Sequence, residues 1–266
     1  MTPHSPSYLA GATAIGAVVA FISGLMGKGG SAVTTPALRV LLDTPRFAAL
    51  ASPLPAALPT TLAASLAYRG RGLVDGPALR TTCAIGLPAT VLGSLASPLA
   101  GGHALMLLTA LLVTGLGLGI LFQHEDHETR APLAPGTYRF RLVVIALGVG
   151  FLSGLLANTG GVLYAPLFIQ WARMETKRAL ATSLVVAAIL AVPGTITHAA
   201  LGHIDWMLVL ALSLGSIPSA YLGAHLALRL RSATLLRIFG VALTAFGLFD
   251  LLYTERASLT RLWGHG

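Results

Sequence analysis

From residue 8 to residue 253 this chain is a succession of apolar runs, and that property constrains its fold more than any other. The runs cover 8–25, 31–42, 47–68, 77–99 and 104–122. After a polar stretch at 123–141 they resume at 142–156, 162–172, 179–200, 207–228 and 235–253. A bilayer core about 30 Å thick takes about 20 helical residues to cross. Three runs in each half meet that length, and the second run of each half is too short. Only 10% of the 266 residues are charged, against roughly a quarter in a soluble domain, which leaves too few charges to solvate the surface of a cytosolic enzyme. The same composition excludes disorder. The 30 glycines and 15 prolines lack collagen's three-residue period and belong to helices in lipid, where both are tolerated. The sequence therefore predicts an all-α, polytopic membrane protein surrounded by lipid bilayer. Its net charge of +8 fits basic loops facing a cytoplasm, with no nucleic acid as partner. The opening MTPHSPS lacks the basic region and cleavage site of a signal peptide, so no targeting segment is expected. The single cysteine, Cys83, gives neither a disulfide framework nor a thiolate metal site.

The second half repeats the first. A constant offset of 130 pairs Phe21 with Phe151, Ser23 with Ser153, Gly24 with Gly154, Gly30 with Gly160 and Pro36 with Pro166. It continues through Ala49-Leu50-Ala51 and Ala179-Leu180-Ala181, then Gly72 and Gly202, Asp75 and Asp205, Pro88 and Pro218, Gly93 and Gly223. Glycine, proline and aspartate recurring in register without a gap mark a duplicated membrane unit. The expected organisation is a first membrane repeat at 8–122, a polar connecting loop at 123–141 and a second repeat at 142–253.

Each repeat can be lettered A (before a glycine-rich break), B (after it), C, D and E. In the first, the C–D loop holds Arg69, Arg71 and Arg80 and the D–E loop holds no basic residue; in the second, the C–D loop is empty and the D–E region holds Arg229, Arg231 and Arg237. Opposite charge bias in equivalent loops points to inverted repeats, with an odd number of crossings in each half. If A and B together make one crossing, the loops hold eight Lys or Arg on either side and no inside is defined. If they form a hairpin, one side collects those six arginines with Arg130, Arg139, Arg141, Arg173, Lys177 and Arg178. The other side keeps Arg39, Arg46, Arg256 and Arg261, and Lys28 falls in the break. Only the hairpin obeys the positive-inside rule, and it puts both termini outside. Each half is then a glycine-broken helical hairpin plus three transmembrane helices.

The breaks carry the candidate site. They read Ser23-Gly24-Leu25-Met26-Gly27-Lys28-Gly29-Gly30 and Ser153-Gly154-Leu155-Leu156-Ala157-Asn158-Thr159-Gly160-Gly161, with Pro36 and Pro166 as structural prolines six residues after the shared glycine. Backbone that leaves the helix at membrane depth needs protein or a watered cavity to satisfy it. A helix that restarts there points free N–H groups and its positive dipole end at the cavity, an arrangement suited to an anion. Small residues that merely pack helices would give such glycines as well. Two breaks in register, each beside a too-short apolar run, are instead the sequence mark of a transporter site. Lys28, Ser31, Asn158 and Thr159 would supply charge and donors, with Gly27, Gly29, Gly30, Gly160 and Gly161 bringing backbone N–H groups close. Ser23 and Ser153 would hydrogen-bond within the hairpins. Pro53, Pro55 and Pro59 should bend or interrupt segment C and help shape the cavity.

At these residues the chain resembles the sulfite exporter TauE/SafE family of membrane transporters, whose repeats each open with a segment like G-F-L-S-G-x-x-G-x-G-G-G followed by apolar residues and proline. VAFISGLMGKGGSAVTTPAL and VGFLSGLLANTGGVLYAPLF carry it, with RALATSLVV, ALGHIDW and the G-x-x-P-x-x-x-x-G stretch at 215–223 continuing it. The resemblance runs from about Ala10 to Tyr253, and the second half is the closer match. Ser31 replaces the last glycine of the first break, and Ala157-Asn158-Thr159 stands where the family tends to have Gly-x-Gly. The resemblance implies secondary transport of a small sulfur-containing anion (sulfite, thiosulfate or an organosulfonate), with a proton or cation as coupling partner and no cofactor.

Other candidates are weaker. His124-Glu125-Asp126-His127-Glu128 is a solvated acidic loop rather than a metal centre, since no other ligands accompany it. His198 and His225 lie in apolar runs, either as proton-relay groups or facing a helix interface or the membrane boundary, and His203, Asp205 and Trp206 read as an interfacial loop with an aromatic anchor. Asp75 and Asp205, each just before segment D, read as helix N-caps. An intramembrane enzyme would need a nucleophile–base or metal constellation, and no carboxylate pair, H-E-x-x-H or G-x-S-x-G occurs. An anion channel is the nearer alternative, because backbone dipoles alone can select ions.

Overall fold

The computed structural model describes residues 4–26, 31–68, 71–96, 102–122, 133–155, 161–200, 202 and 204–263. They form eleven helices: α1 (Pro6–Met26), α2 (Ser31–Leu42), α3 (Arg46–Ala51), α4 (Pro53–Ala67), α5 (Gly76–Ala96), α6 (Gly102–Leu121), α7 (Pro135–Leu155), α8 (Gly161–Gln170), α9 (Thr176–Ala200), α10 (Trp206–Arg229) and α11 (Ser232–Trp263). No strand occurs among the described residues, so the expected all-α fold is what the chain adopts. Among the described residues, five helices are long and apolar enough to cross a membrane: α1, α7, α9, α10 and the Ser232–Phe249 part of α11.

The first helix of each half, 21 residues in both α1 and α7, is about 31 Å long and reaches across a bilayer core by itself. Its successor is much shorter, 12 residues in α2 and 10 in α8, or about 15–18 Å. The chain doubles back between them. The Leu42 side chain at the end of α2 lies against Gly11 in α1, and Tyr8 Oη is 2.9 Å from Thr44 Oγ1. In the second half Arg141 Nη1 donates to the Trp171 carbonyl just past α8 at 2.6 Å. Each A–B unit is therefore a hairpin with one full leg and one short leg. Segment C differs between halves: Ser52 separates α3 from α4, where Pro53 occupies the first helical position, whereas α9 runs unbroken for 25 residues through Pro193. Proline is tolerated at a helix start because its missing N–H would be unpaired there.

The register of 130 returns in the backbone. The short helices are followed by Asp43 at φ 52° and Arg173 at φ 54°, and the loops before segment D turn on Gly72 at φ 63° and Gly202 at φ 68°. Glycine enters this left-handed region without steric penalty, aspartate at a modest one and arginine rarely. The halves also exchange helices: α1 packs on α10, α7 on α5, α4 on α9 and α6 on α11. Glycine permits the closest of these approaches, since a Cβ on Gly223 would collide with the Phe21 carbonyl and one on Gly93 with the Phe151 carbonyl. Leu25 and Met26, at the end of α1, share a buried cluster with Leu163 and Tyr164 of α8 and Leu180 and Leu190 of α9.

Candidate functional site

Ser31 opens α2 and Gly161 opens α8, while Gly27, Lys28, Gly29, Gly30, Asn158, Thr159 and Gly160 lie outside the described residues. Pro36 and Pro166 each sit inside the short helix at its sixth residue. Having no N–H, they leave the carbonyls of Ala32 and Val162 without their i+4 donor, close to the bend. The paired serines differ. Ser153 Oγ donates to the Val149 carbonyl at 2.7 Å, a bond inside α7. Ser23 is 2% exposed, and its Oγ has no partner among the described residues.

Beside the first hairpin lies a cavity of about 30 Å³, walled by Gly16, Val19 and Ala20 of α1, Thr34 of α2, Pro53, Ala56, Ala57 and Thr60 of α4, and Leu212 and Ser216 of α10. That volume holds a water or two. Its polar side chains among the described residues are hydroxyls: Thr34, Thr60 and Ser216. Thr60 Oγ1 donates to the Ala56 carbonyl at 2.5 Å and stands 2.6 Å from Ser216 Oγ. Pro53, expected to help shape a cavity, forms part of its wall. Thr34, Thr60 and Ser216 were not singled out in the sequence, because they come from three segments joined only by the packing of α2, α4 and α10. The nearest sequence cue was position: Thr34 lies on the first turn after the break, and Thr60 follows the proline cluster of α4.

The recurring aspartates lie elsewhere, each at the N-terminal end of a segment D. Asp75 Oδ1 accepts from Ala78 N–H at 2.8 Å, and Asp205 Oδ1 accepts from Met207 and Leu208 N–H at 3.0 and 3.1 Å, so both are N-caps as the sequence indicated. Each also ties the halves together: Asp75 N–H donates to Thr182 Oγ1 and Asp205 N–H to Ser52 Oγ, both at 3.0 Å. Arg178 pairs with Asp75 at 3.1 Å and His4 with Asp205 at 2.8 Å. Burial pushes the Asp205 carboxyl up, but the bonds from His4, Leu208 and Met207 outweigh it and hold the group below the ordinary carboxylate value. His225 stacks on Tyr221, with centroids 5.9 Å apart, and its Nδ1 has no partner among the described residues. Residues 124–128 lie outside the described residues; among those described, no three His, Cys, Asp or Glu side chains gather as metal ligands.

Residues 12–249 match the family model of the sulfite exporter TauE/SafE. The chain belongs to this family. Relatives of this TauE/SafE chain include a protein of Xylella fastidiosa (strain 9a5c) named "Probable membrane transporter protein", 28% identical over 92% of this chain and 95% of its own length. Another is "Probable membrane transporter protein YunE" of Bacillus subtilis (strain 168), 24% identical over 88% of this chain and 93% of its own. "Probable membrane transporter protein MamO" of Magnetospirillum gryphiswaldense is 32% identical, over 37% of this chain and 16% of its own length. No solved structure matches the chain. The TauE/SafE chain is thus a multi-pass membrane transporter and not an enzyme.

Proposed function

We propose that this transporter carries a small sulfur-containing anion (sulfite, thiosulfate or an organosulfonate) across a bacterial-type inner membrane by alternating access. One observation carries the reading: two helical hairpins interrupted in register, the first bordering a cavity whose described polar side chains are all hydroxyls. Hydroxyl donors and the N-terminal ends of α2 and α8 suit the oxygens of an anion. In this reading Lys28, Ser31, Asn158 and Thr159 supply charge and donors, and the N–H groups of Gly27, Gly29, Gly30, Gly160 and Gly161 complete the shell. Ser23 and Ser153 line the bends, and Pro36 and Pro166 fix the start of the short helices. The repeats are inverted, both termini face outside, and a proton or cation couples the transport.

Flux of labelled sulfite, thiosulfate and taurine into proteoliposomes, with and without a proton gradient, tests this. Saturable uptake that exchanges with internal substrate is expected, and non-saturating conductance would make the protein a channel. Lys28→Ala should raise the half-saturating concentration about tenfold or more, the range lost when a charge-assisted contact is removed. Unchanged flux of every sulfur anion in that variant overturns the clamp assigned to Lys28.

A further inference from the structure

The residues that wall the cavity have in-register counterparts in the second half, and there the space is filled. Thr34 corresponds to Tyr164, Thr60 to Leu190 and Ser216 to Gly86, each 130 residues apart. Tyr164 is fully buried. A Cβ placed on Gly86 would stand 3.2 Å from Tyr164 Oη and 3.5 Å from the Leu190 methyls, so the tyrosine ring extends to the place that Ser216 occupies on the other side. Leucine stands where Thr60 offers a hydroxyl, and valine (Val186) where Ala56 leaves room. Tyr164 Oη has no partner among the described residues, a loss of about 1–3 kcal/mol for a buried polar group, which an aliphatic plug would not incur.

We propose that the two repeats have diverged at this point, so that the transporter keeps one solute-accessible half-site, walled by Thr34, Thr60 and Ser216, while Tyr164 closes its twin. The proposal rests on the reading that the hairpins carry the solute. Its ligand chemistry follows from the wall. Among the described residues no charged side chain lines the cavity, and hydroxyl rotation lets Thr60 or Ser216 turn a hydrogen toward an acceptor. The half-site therefore receives the oxygen atoms of a small oxyanion, one molecule per chain.

Cysteine accessibility tests this without reference to flux. In a Cys83→Ala background, which removes the chain's only thiol, Thr60→Cys and Leu190→Cys are treated in membranes with 2-sulfonatoethyl methanethiosulfonate, a reagent that is itself a small sulfonate. Thr60→Cys should react at least about tenfold faster than Leu190→Cys, since thiol reactivity follows access. Tyr164→Thr should raise the rate at Leu190→Cys toward that at Thr60→Cys. Tyr164→Phe, which keeps the ring, should leave it slow. The converse swap, Thr34→Tyr, should silence Thr60→Cys and guards against a Tyr164→Thr chain that fails to fold. Equal rates at the two positions in the unswapped chain, or a Thr60→Cys rate indifferent to Thr34→Tyr, overturn the proposal. Protection of Thr60→Cys by methanesulfonate, used because sulfite consumes the reagent, tests the other reading. If the asymmetry holds without protection, the half-site stands and the sulfur-anion assignment fails.

Discussion

An added methyl group divides the glycines of this fold into two kinds. At Gly223 or Gly93 it would strike a backbone carbonyl of the facing helix, and at Gly215 the carbonyl of Thr13. At Gly148, in the middle of α7, it would meet nothing within 4 Å. Backbone cannot yield as a flexible side chain can, so Gly223→Ala should push α10 from α1 at a cost of about 1–3 kcal/mol, as overpacking does. Gly148→Ala should be neutral or stabilise by roughly 0.5–1 kcal/mol, the ordinary helix advantage of alanine over glycine. Thermal unfolding of the two variants in detergent separates them, and equal melting points would contradict the close packing. Sequence carried part of this distinction. Gly93 and Gly223 recur in register, whereas the partner position of Gly148 is Val18. It misses Gly215, whose partner is Ile85, because the close contact of α10 with α1 at that point is not repeated where α5 meets α7. The hydroxyls of the cavity were hidden for the same reason: Thr34, Thr60 and Ser216 become neighbours only when three helices meet.

Among the elements, the ends of segment D were the most legible. A helix cap is a local device, complete within three or four residues, so Asp75 and Asp205 could be assigned from their place before α5 and α10. Their second task, fastening each loop to Thr182 or Ser52 in the other half, depends on tertiary pairing and had no local signature. The cap at Asp205 also predicts an acid dependence. Its carboxyl titrates below the ordinary value of 3.8 in the folded chain, so its contribution is complete above that value and fades as pH falls through the lower folded one. Asp205→Ala should cost about 0.5–2 kcal/mol at neutral pH, the usual worth of an N-cap. Asp205→Asn should abolish this group's share of the loss below pH 3.8. Melting curves of wild type and Asp205→Asn between about pH 3 and pH 6 check the sign; an identical acid slope in both would refute it. The hairpins illustrate a different limit. The length of the apolar runs showed that α2 and α8 could not span, but it takes tertiary contacts, such as those of Tyr8 with Thr44 and of Arg141 with Trp171, to show the chain turning back.

At the scale of the whole molecule, the distribution of arginine and the hairpin count lead to a sided expectation. With each hairpin returning to the side it entered, both termini should lie outside and the loop at 123–141 inside. Alkaline phosphatase fused after Trp263 should be active and green fluorescent protein fused there dark, with the reverse for insertions at residue 128. The opposite pattern would invert the orientation, and agreement of the two fusion sites would break the odd count of crossings. The pairing of α1 with α10 and of α7 with α5 has a further consequence, which concerns time. The ribosome completes α1 at Met26 but does not finish its packing partner until Arg229, about 200 residues and roughly 10–40 s later at ordinary rates of synthesis. For that interval Gly16, Gly24 and the rest of the α1 seam have no helix to lie against. The first half of this protein must therefore wait in the membrane with its tightest surface open, and whatever shields it then governs the yield of finished transporter.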